Sequence, residues 1–390
     1  MKKKIWKQPR IIYLAIAILI ISFFVVNLDN SAVEISNLEF IGQATLPKGL
    51  SFQKTELGGL SGITYDAQND LYYAISDDRG QKAPPRFYSL KIDLSQGNLQ
   101  EGGVIPVAVT TLLNENNQPF PPSETDTEGI AVTKAGTVFI SSEGDVGRLN
   151  PPFIKEFALA SGKVNRTLPI PNKFLPNKNG QQGIRNNLAF ESLTITPDNK
   201  YLFTATENAL IQDGSAAKPN LGSPCRILQY NLVSNQPEKE FLYPTEPVPS
   251  YFNLTGKFAS GLPDLLALDN QGNFLSIERS FTGLGFAVSL FQVSLKATDN
   301  IKNINSLLAV DTQKIKPVQK KLILDLRTIN APLDNIEGLT FGARLPDGKR
   351  ALILISDNNF NAIQRNQILA FKVTTKSAIT RLVNRFLPLD

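Results

Sequence analysis

Acidic residues recur in the sequence at two positions of one repeated pattern. The first position opens an apolar segment, and its successive copies are Ser61, Glu128, Glu191, Asp264 and Glu337. The second position closes the next apolar segment, and its copies are Asp77 and Asp78, Glu143 and Asp145, Glu207, Glu278, and Asp357. If the two positions meet in the fold, about ten carboxylates crowd together and repel one another unless cations balance them. Such a cluster is suited to binding a hard cation and a substrate beside it.

The remaining composition narrows the chemistry that this cluster can perform. The chain has no histidine and a single cysteine, Cys225. Catalysis by Ser–His–Asp or Cys–His groups, histidine-ligated metals and internal disulfides are therefore excluded. Calcium prefers carboxylate, carbonyl and water oxygens, so it is the metal that these residues would hold best.

Each acidic position suggests a role at a calcium-bearing cleft. The predicted catalytic residues are the recurrent acids Glu128, Glu191 and Glu337. The predicted calcium ligands are Asp77, Asp78, Glu143, Asp264 and Asp357. Arginines near them in sequence can bind an anionic group, and the predicted substrate-binding residues are Arg79, Arg148 and Arg279. The alternative is structural, because recurrent acids can also cap backbone N–H groups and join neighbouring repeats in every copy.

The elements that must position these residues are β-strands. The apolar segments that carry the first acidic position recur roughly every 70 residues. Each runs through a polar turn into a second strand, and these strands are predicted at Leu71–Ser76, Thr137–Ser142, Tyr201–Thr206, Phe274–Ile277 and Ala351–Ser356. An antiparallel hairpin places the start of its first strand beside the end of its second. Both acidic positions are therefore expected at the same end of the repeat.

A third strand follows in every copy and a fourth in most of them. Sequential four-stranded antiparallel units predict an all-β fold, a β-propeller with five blades. The last copy lacks a fourth strand, which Ile35–Ala44 at the start of the domain can supply. The insertions Pro244–Ser260 and Thr298–Pro317 leave room for a sixth blade. An open array of β-sandwich sheets is the alternative architecture.

The N-terminus carries a targeting pattern. Residues 1–10 contain five basic residues and no acid, and Ile11–Val26 is an apolar run. This predicts a signal peptide or membrane anchor over residues 1–30, with the propeller, residues 35–374, exported to the periplasm or the outside. The net charge of +5 lies within residues 1–10, so the body of the chain is neutral and no nucleic-acid partner is expected.

The C-terminal tail, residues 375–390, also differs from the repeat. Its apolar and basic residues fall at helical spacing, namely Ile379, Leu382, Val383, Phe386 and Leu387 with Arg381 and Arg385 opposite. A helix of this kind either docks on its own domain, which we favour, or lies on a membrane surface.

The motifs at the acidic positions resemble those of a known family. They are LSGI at 60–63, AISDDR at 74–79, DTEGI at 126–130, SSEG at 141–144, NLAFESL at 187–193, DNIEGL at 334–339 and LISDNNF at 354–360. In these motifs, and over about residues 38–374, the chain resembles the phytase-like family, which is described as the "esterase-like activity of phytase" family. Its members are mostly exported bacterial proteins.

The resemblance implies hydrolysis of phosphate esters or related esters outside the cytoplasm, with calcium and a small anionic or ester substrate. Two other functions are compatible with the same residues. One is a non-catalytic propeller that is tethered to the membrane and binds a partner there. The other is a lactonase-like propeller, which would also use calcium in its channel. The sequence predicts no oligomeric state.

Overall fold

The fold consists almost entirely of short β-strands joined by turns. The computed structural model describes residues 32–249, 256, 258–283 and 285–377. Its strands are rich in the β-branched and aromatic residues that pack well on a pleated sheet, and its turns are rich in Gly, Asn and Asp. The described chain begins with β1 (Ile35–Leu46), which is followed by a small hairpin of β2 (Ser51–Phe52) and β3 (Thr55–Glu56).

Five four-stranded antiparallel sheets follow as blades. Blade 1 consists of β4 (Leu60–Asp66), β5 (Leu71–Ser76), β6 (Arg86–Ile92) and β7 (Val104–Thr111). Blade 2 consists of β8 (Thr127–Val132), β9 (Thr137–Ser142), β10 (Phe153–Ala158) and β11 (Val164–Leu168). Blade 3 consists of β12 (Thr194–Ile195), β13 (Tyr201–Ala205), β14 (Pro224–Asn231) and β15 (Gln236–Pro244). Blade 4 consists of β16 (Ala259–Ala267), β17 (Asn273–Phe281), β18 (Phe286–Ser294) and β19 (Gln319–Asp325).

Blade 5 joins the two ends of the domain. It consists of β20 (Ile336–Arg344), β21 (Arg350–Ser356), β22 (Asn366–Thr375) and, as its outer strand, β1. The innermost strands β4, β8, β12, β16 and β20 pack side by side around the channel, with β20 returning to β4. The prediction of a five-bladed propeller closed by the segment at Ile35–Ala44 is confirmed.

The predicted room for a sixth blade is not used in the described residues. The insertion Thr298–Pro317 contains two short 3₁₀ helices, η3 (Leu307–Ala309) and η4 (Thr312–Lys314), rather than strands. The other short helices are η1 (Val146–Arg148), η2 (Asn172–Phe174) and η5 (Leu326–Thr328). The fourth strand of blade 2, β11, has no counterpart in the sequence prediction, because its five residues, VNRTL, are mostly polar.

The core is divided among the interfaces between blades. In β21, Leu352 and Leu354 join an apolar cluster with blade 4, whereas Ile353 and Ile355 join a different cluster with blade 1. This alternation is the two-residue period of a strand with both faces buried. The other interfaces have clusters of their own, one between blades 1 and 2, one between blades 2 and 3, and one between blades 3 and 4. Packing between blades therefore fixes the inner strands around the channel.

Two predicted segments lie largely outside this description. The predicted signal peptide or anchor, residues 1–30, lies entirely outside the described residues, and the predicted tail is described only as far as residue 377. Among the residues that are described, none belongs to a helix with the length and apolar character needed to cross a bilayer.

Candidate functional site

One end of the channel opens into an acidic cavity of about 430 Å³. We call it the acidic mouth. It lies where the innermost strands begin and the second strands end, as the hairpin pattern predicts. The carboxylates that line it are Asp77, Asp78, Asp126, Glu128, Glu191, Glu207, Glu337 and Asp357. Most of the acids that the sequence predicts at one end of the channel therefore do lie there. Their functional roles remain predictions.

Bulges at the starts of the innermost strands locate the recurrent acids. The register between β8 and β9 shifts between Thr127 and Ile130, which places Glu128 within the bulge. Similar shifts occur at the starts of β4 and β20, the latter around Glu337. A bulge re-aims a side chain that would otherwise follow the pleat. Glu128 and Glu337 can therefore both reach the channel while their neighbours stay in the sheets.

Close packing of the innermost strands explains the glycine after two of these acids. A Cβ atom on Gly129 would lie 2.6 Å from the carbonyl oxygen of Glu191 in the next blade. A Cβ atom on Gly338, which follows Glu337, would lie 2.9 Å from the carbonyl oxygen of Ser61 in blade 1. Glycine is required where two backbones approach this closely. The glycine next to each of these acids thus allows neighbouring innermost strands to approach closely, and this brings carboxylates from adjacent blades together.

Three carboxylates at blade 2 form the tightest group. Asp126, Glu128 and Glu143 each place one carboxylate oxygen within 4.8 Å of the others. Glu143 is 1% exposed, and its Oε1 accepts a hydrogen bond from the Ala189 backbone N–H. Its Oε2 is buried without a hydrogen-bond partner in the described structure. Burial, followed by the charges of neighbouring carboxylates, raises the pKa of Glu128 and of Glu143 well above the usual range.

Arg79 is the cation next to this group. Its Nε donates to Asp126 Oδ1 at 2.7 Å, and its Nη2 contacts Asp126 and donates to Asn187 Oδ1. Burial alone would lower the pKa of Arg79, but Asp126, Glu128 and Glu143 raise it. The Arg79 side chain is 38% exposed, whereas that of Asp126 is 5% exposed. Arg79 therefore offsets part of the negative charge and still presents its guanidinium at the cavity.

Arg279 crosses from blade 4 to the acids of blades 3 and 5. Its Nη2 lies 2.8 Å from Glu337 Oε1 and 3.4 Å from Glu207 Oε1. Glu337 also accepts a 2.8 Å hydrogen bond from Asn335. Burial raises the pKa of Glu337 to about 6, and Arg279 opposes that rise. Arg279, predicted to bind substrate, lines the cavity but is already engaged by two carboxylates.

Asp77 and Asp357 stand beside each other on the side of blades 1 and 5. Asp77 Oδ1 is buried without a hydrogen-bond partner in the described structure. Burial, then the charges of Glu337, Asp126 and Asp78, raises the pKa of Asp77 to about 7. Asp357 accepts a 2.7 Å hydrogen bond from the Asn359 backbone N–H. Burial, then the charges of Asp77 and Glu337, raises the pKa of Asp357 well above its usual range.

Two predicted calcium ligands have oxygens that the protein already uses. Asp78 accepts hydrogen bonds from three successive backbone N–H groups, at Gln81, Lys82 and Ala83, and a 2.8 Å bond from the buried Arg86. Asp264 does not line the acidic mouth. Its oxygens accept bonds from the backbone N–H groups of Leu265 and Leu339, at 2.8 and 2.9 Å. Asp264 is thus engaged as the structural alternative expects of a recurrent acid, whereas Asp78, which is not at the first recurrent position, is held by the loop that follows it.

Arg148 is the predicted substrate-binding residue that the fold does not bring to the cavity. It lies in η1, its side chain is 62% exposed, and it pairs with Asp145 at 3.5 Å. Asp145 caps η1 by accepting a hydrogen bond from the Arg148 backbone N–H. This local cap holds the arginine on the surface of the loop.

Asp126 is the functional candidate that the sequence prediction missed. It stands two residues before Glu128, just outside the regular start of β8, so it belongs to neither recurrent acidic position. A usable signal was present, because the corresponding residue of blade 5, Asn335, is also polar and also reaches the recurrent glutamate. The repeat assigns no role to Asn187, the second partner of Arg79, although Asn187 opens the motif NLAFESL.

Comparison with known proteins places this architecture in a family. The sequence profile described as "Phytase-like: Esterase-like activity of phytase" matches residues 55–360. The chain belongs to the phytase-like family. The match includes every strand from β3 to β21, and therefore the whole acidic mouth.

Individual relatives of this phytase-like chain are distant. An uncharacterized secreted protein of Arthroderma benhamiae is 25% identical over 136 residues, which cover 29% of this chain and 25% of that protein. The chain thus matches about a quarter of that relative's length. An endo-arabinase from Bacteroides thetaiotaomicron has 10% identity and a TM-score of 0.42, covering 80% of this chain and 93% of its own. Kuenenia stuttgartiensis hydrazine synthase has 9% identity and a TM-score of 0.32, covering 84% and 98%. Neither solved structure bears on the activity of this chain.

Proposed function

We propose that this phytase-like chain is an exported, calcium-dependent hydrolase of phosphate esters or related esters. The observation that carries the proposal is the group formed by Asp126, Glu128 and Glu143. Three carboxylates converge there with one nearby arginine, and Glu143 Oε2 has no hydrogen-bond donor in the described structure. A buried carboxylate oxygen without a donor is costly, and a divalent cation would remove that cost.

The residues fit a calcium ion by their chemistry. Calcium binds several carboxylate oxygens with flexible geometry, and this mouth offers no nitrogen or sulfur ligand that would favour zinc or copper, since the chain lacks histidine. Asp126, Glu128 and Glu143 would hold the ion, and the oxygen of Asp77 that lacks a partner stands at the same mouth. When bound, calcium would polarise an ester oxygen and favour ionisation of a water molecule.

Two residues of the chain are suited to binding the substrate and to protonating the leaving oxygen. Arg79 presents a partly exposed guanidinium and would bind the anionic group of the substrate. Burial, followed by the charges of Glu207, Glu143 and Glu337, raises the pKa of Glu191 well above its usual range. This shift favours the protonated form of Glu191, which could act as a proton donor. Glu191 would transfer that proton to the leaving oxygen as water attacks and the ester bond breaks.

The proposed export is supported by the N-terminal sequence and by the description of a relative. The basic and apolar pattern of residues 1–30 matches an export signal or anchor. The Arthroderma benhamiae relative is itself described as secreted. A calcium site also suits a compartment outside the cytoplasm, where free calcium reaches the range of weak extracellular sites.

Calcium titration into the chelator-treated full-length chain, kept in non-ionic detergent, tests the metal site. We expect saturable heat of binding in the wild type and at least a tenfold loss of affinity in Glu128→Gln, because one of three charged ligands becomes neutral. Glu115→Gln is the matched control, since Glu115 is an exposed glutamate paired with Lys155. We expect that variant to bind calcium like the wild type. Equal binding by all three proteins, or no binding by any, would refute the site.

Hydrolysis of a panel of phosphate monoesters and carboxylic esters tests the reaction. We expect turnover that is lost in chelator and restored by calcium. We also expect Glu191→Gln to reduce turnover at least tenfold while retaining calcium affinity, because it removes the proton donor and not a ligand. Calcium binding without turnover on any ester would instead favour the non-catalytic, membrane-tethered binding platform.

A further inference from the structure

The described chain enters and leaves the propeller at one edge. Ile35 at the start of β1 pairs with Thr375 at the end of β22, and the Lys376 backbone N–H donates to the Glu34 carbonyl at 2.9 Å. This edge lies at the end of blade 5 away from the acidic mouth, because β22 begins at the mouth and ends here. At about 3.3 Å per residue, the ten residues of β22 separate the two ends by roughly 30 Å.

Three cations surround this exit point. Arg344, Lys349 and Arg350 line a shallow pocket of about 380 Å³ that also contacts Val33 and Thr375. No carboxylate is among the described residues that line it. We call this region the basic corner.

The close contacts of these cations are to uncharged groups. Arg344 donates to the Gly348 carbonyl at 2.8 Å, and Lys349 donates to Thr374 Oγ1 at 3.1 Å. The guanidinium of Arg350 lies 4.4 Å from the centre of the Phe341 ring. Within the described ranges, none of the three lies within ion-pair distance of a carboxylate. The nearby Asp347 pairs with Lys372 at 3.4 Å while its charge also acts on Lys349, and Asp269 accepts a 2.7 Å hydrogen bond from the Val33 backbone N–H. The basic corner therefore carries net positive charge, at the opposite end of blade 5 from the acidic mouth.

The length of chain before β1 limits where this corner can lie. The predicted membrane-spanning run ends at Val26, and the described chain starts beside Val33. Seven residues extend at most about 25 Å, whatever their conformation. If residues 11–26 anchor the chain, the basic corner is held within that distance of the bilayer surface.

We propose that the basic corner faces the membrane and contacts the phosphate groups of anionic phospholipids, so that the acidic mouth opens away from the bilayer. The proposal rests on the predicted anchor and not on calcium binding or hydrolysis. Anionic headgroups attract basic side chains within about a Debye length of the surface and repel the carboxylates of the mouth. Attraction at the basic corner and repulsion at the acidic mouth thus both favour the orientation in which the basic corner faces the bilayer.

Depth-dependent fluorescence quenching in nanodiscs tests this orientation with the full-length chain. An environment-sensitive dye is attached to Thr375→Cys at the basic corner or to Ile363→Cys, an 86% exposed position on the loop at the acidic mouth of the same blade. The native Cys225 is completely buried and should not react. In discs containing anionic phosphatidylglycerol and a headgroup-labelled quencher, we expect the dye at 375 to be quenched at least threefold more than the dye at 363.

Charge variants separate lipid contact from simple tethering. Arg344→Gln/Lys349→Gln/Arg350→Gln should lose at least half of the quenching at 375 in anionic discs. The matched control, Lys54→Gln/Lys178→Gln/Lys218→Gln, removes three exposed lysines from loops outside this corner and should change nothing. Equal quenching at the two positions, or stronger quenching at 363, would overturn the orientation. Quenching that is the same in neutral and anionic discs would overturn the phospholipid contact, and recovery of a mature chain beginning after residue 26 would overturn the anchor.

Discussion

Arg79 and Arg148 have similar positions in the sequence and different positions in the fold. Each follows the end of a second strand and an acidic residue. Arg79 turns inward because Asp126 and Asn187 engage its guanidinium, whereas Arg148 stays in η1 beside Asp145. Sequence spacing alone does not distinguish the two, since the difference depends on which loop residues accept their hydrogen bonds. The pair therefore provides a natural test of the proposed anion site.

Arg79→Gln should lower kcat/KM on an anionic ester at least tenfold. The substitution removes a charge-assisted contact and leaves Asp126 without its cation, and a tenfold change corresponds to about 1.4 kcal/mol. Arg148→Gln should change kcat/KM by less than about twofold, because surface charges far from a site contribute little. Steady-state kinetics of the two purified variants measure both effects. Equal losses in the two variants would place the anion elsewhere.

The candidate acids were predictable from sequence to the extent that they follow the repeat. Glu128, Glu191 and Glu337 occupy one repeated position, and hairpin geometry brought that position to the channel. Asp126 could not be found in this way because it precedes the regular strand. The hydrogen bonds that Asp78 accepts from backbone N–H groups could not be predicted from sequence either, because they depend on the conformation of the loop at 79–83.

At the scale of elements, the strands were predictable because hydrophobic patterning and turn residues agree. The predicted strands Leu71–Ser76 and Thr137–Ser142 coincide with β5 and β9. Ile35–Ala44 was correctly predicted to close the last blade, since that blade lacked one strand. The short polar strand β11 was not seen, because a solvent-facing outer strand needs little apolar character.

Gly42 is a sensitive point in the closing strand. It has a φ of 126° at a bulge in β1, where the register with β22 shifts. A Cβ atom there would overlap the carbonyl oxygen of Leu99 in the loop of blade 1. Gly42→Ala thus adds both backbone strain and a steric clash, so it should weaken closure of the ring. A backbone clash cannot be relieved by a side-chain rotation.

Urea denaturation measures the effect of Gly42→Ala against a matched glycine. Gly136 also has a positive φ, 76°, but a Cβ atom there would meet open space. Gly136→Ala should therefore lower the free energy of unfolding by about 1–2 kcal/mol from backbone strain alone. Gly42→Ala should cost about 2 kcal/mol more than Gly136→Ala. Similar losses would mean that the loop of blade 1 moves aside without cost.

At the scale of the whole molecule, the acidic mouth makes stability depend on pH. Folding raises the pKa of Asp77 to about 7 and that of Glu337 to about 6. Between the ordinary pKa of a carboxyl and these values, the folded chain binds more protons than the unfolded chain. The free energy of unfolding must then fall as pH rises through that window. Calcium bound as proposed would oppose this loss, because it would replace protons as the balancing charge.

Thermal unfolding at several pH values checks this sign. In chelator, the melting temperature should be several degrees higher at pH 5 than at pH 7.5, and calcium should raise it at pH 7.5. Asp77→Asn should reduce the difference between the two pH values, because the neutral side chain no longer titrates. Glu115→Gln, with its exposed side chain, should leave the difference unchanged. A melting temperature that rises steadily to pH 7.5 in chelator would contradict the charge balance described for the mouth.

The pairing of β1 with β22 has a consequence for how the chain is made. The partner of β1 begins at Asn366, so a ribosome adding about 5–20 residues per second needs roughly 15–60 s to reach it after completing Leu46. During that interval β1 is a strand without its native neighbour, and exposed strands of this kind recruit other chains. β1 therefore stays open to such pairing until β22, the last of the described strands, is made and pairs with it.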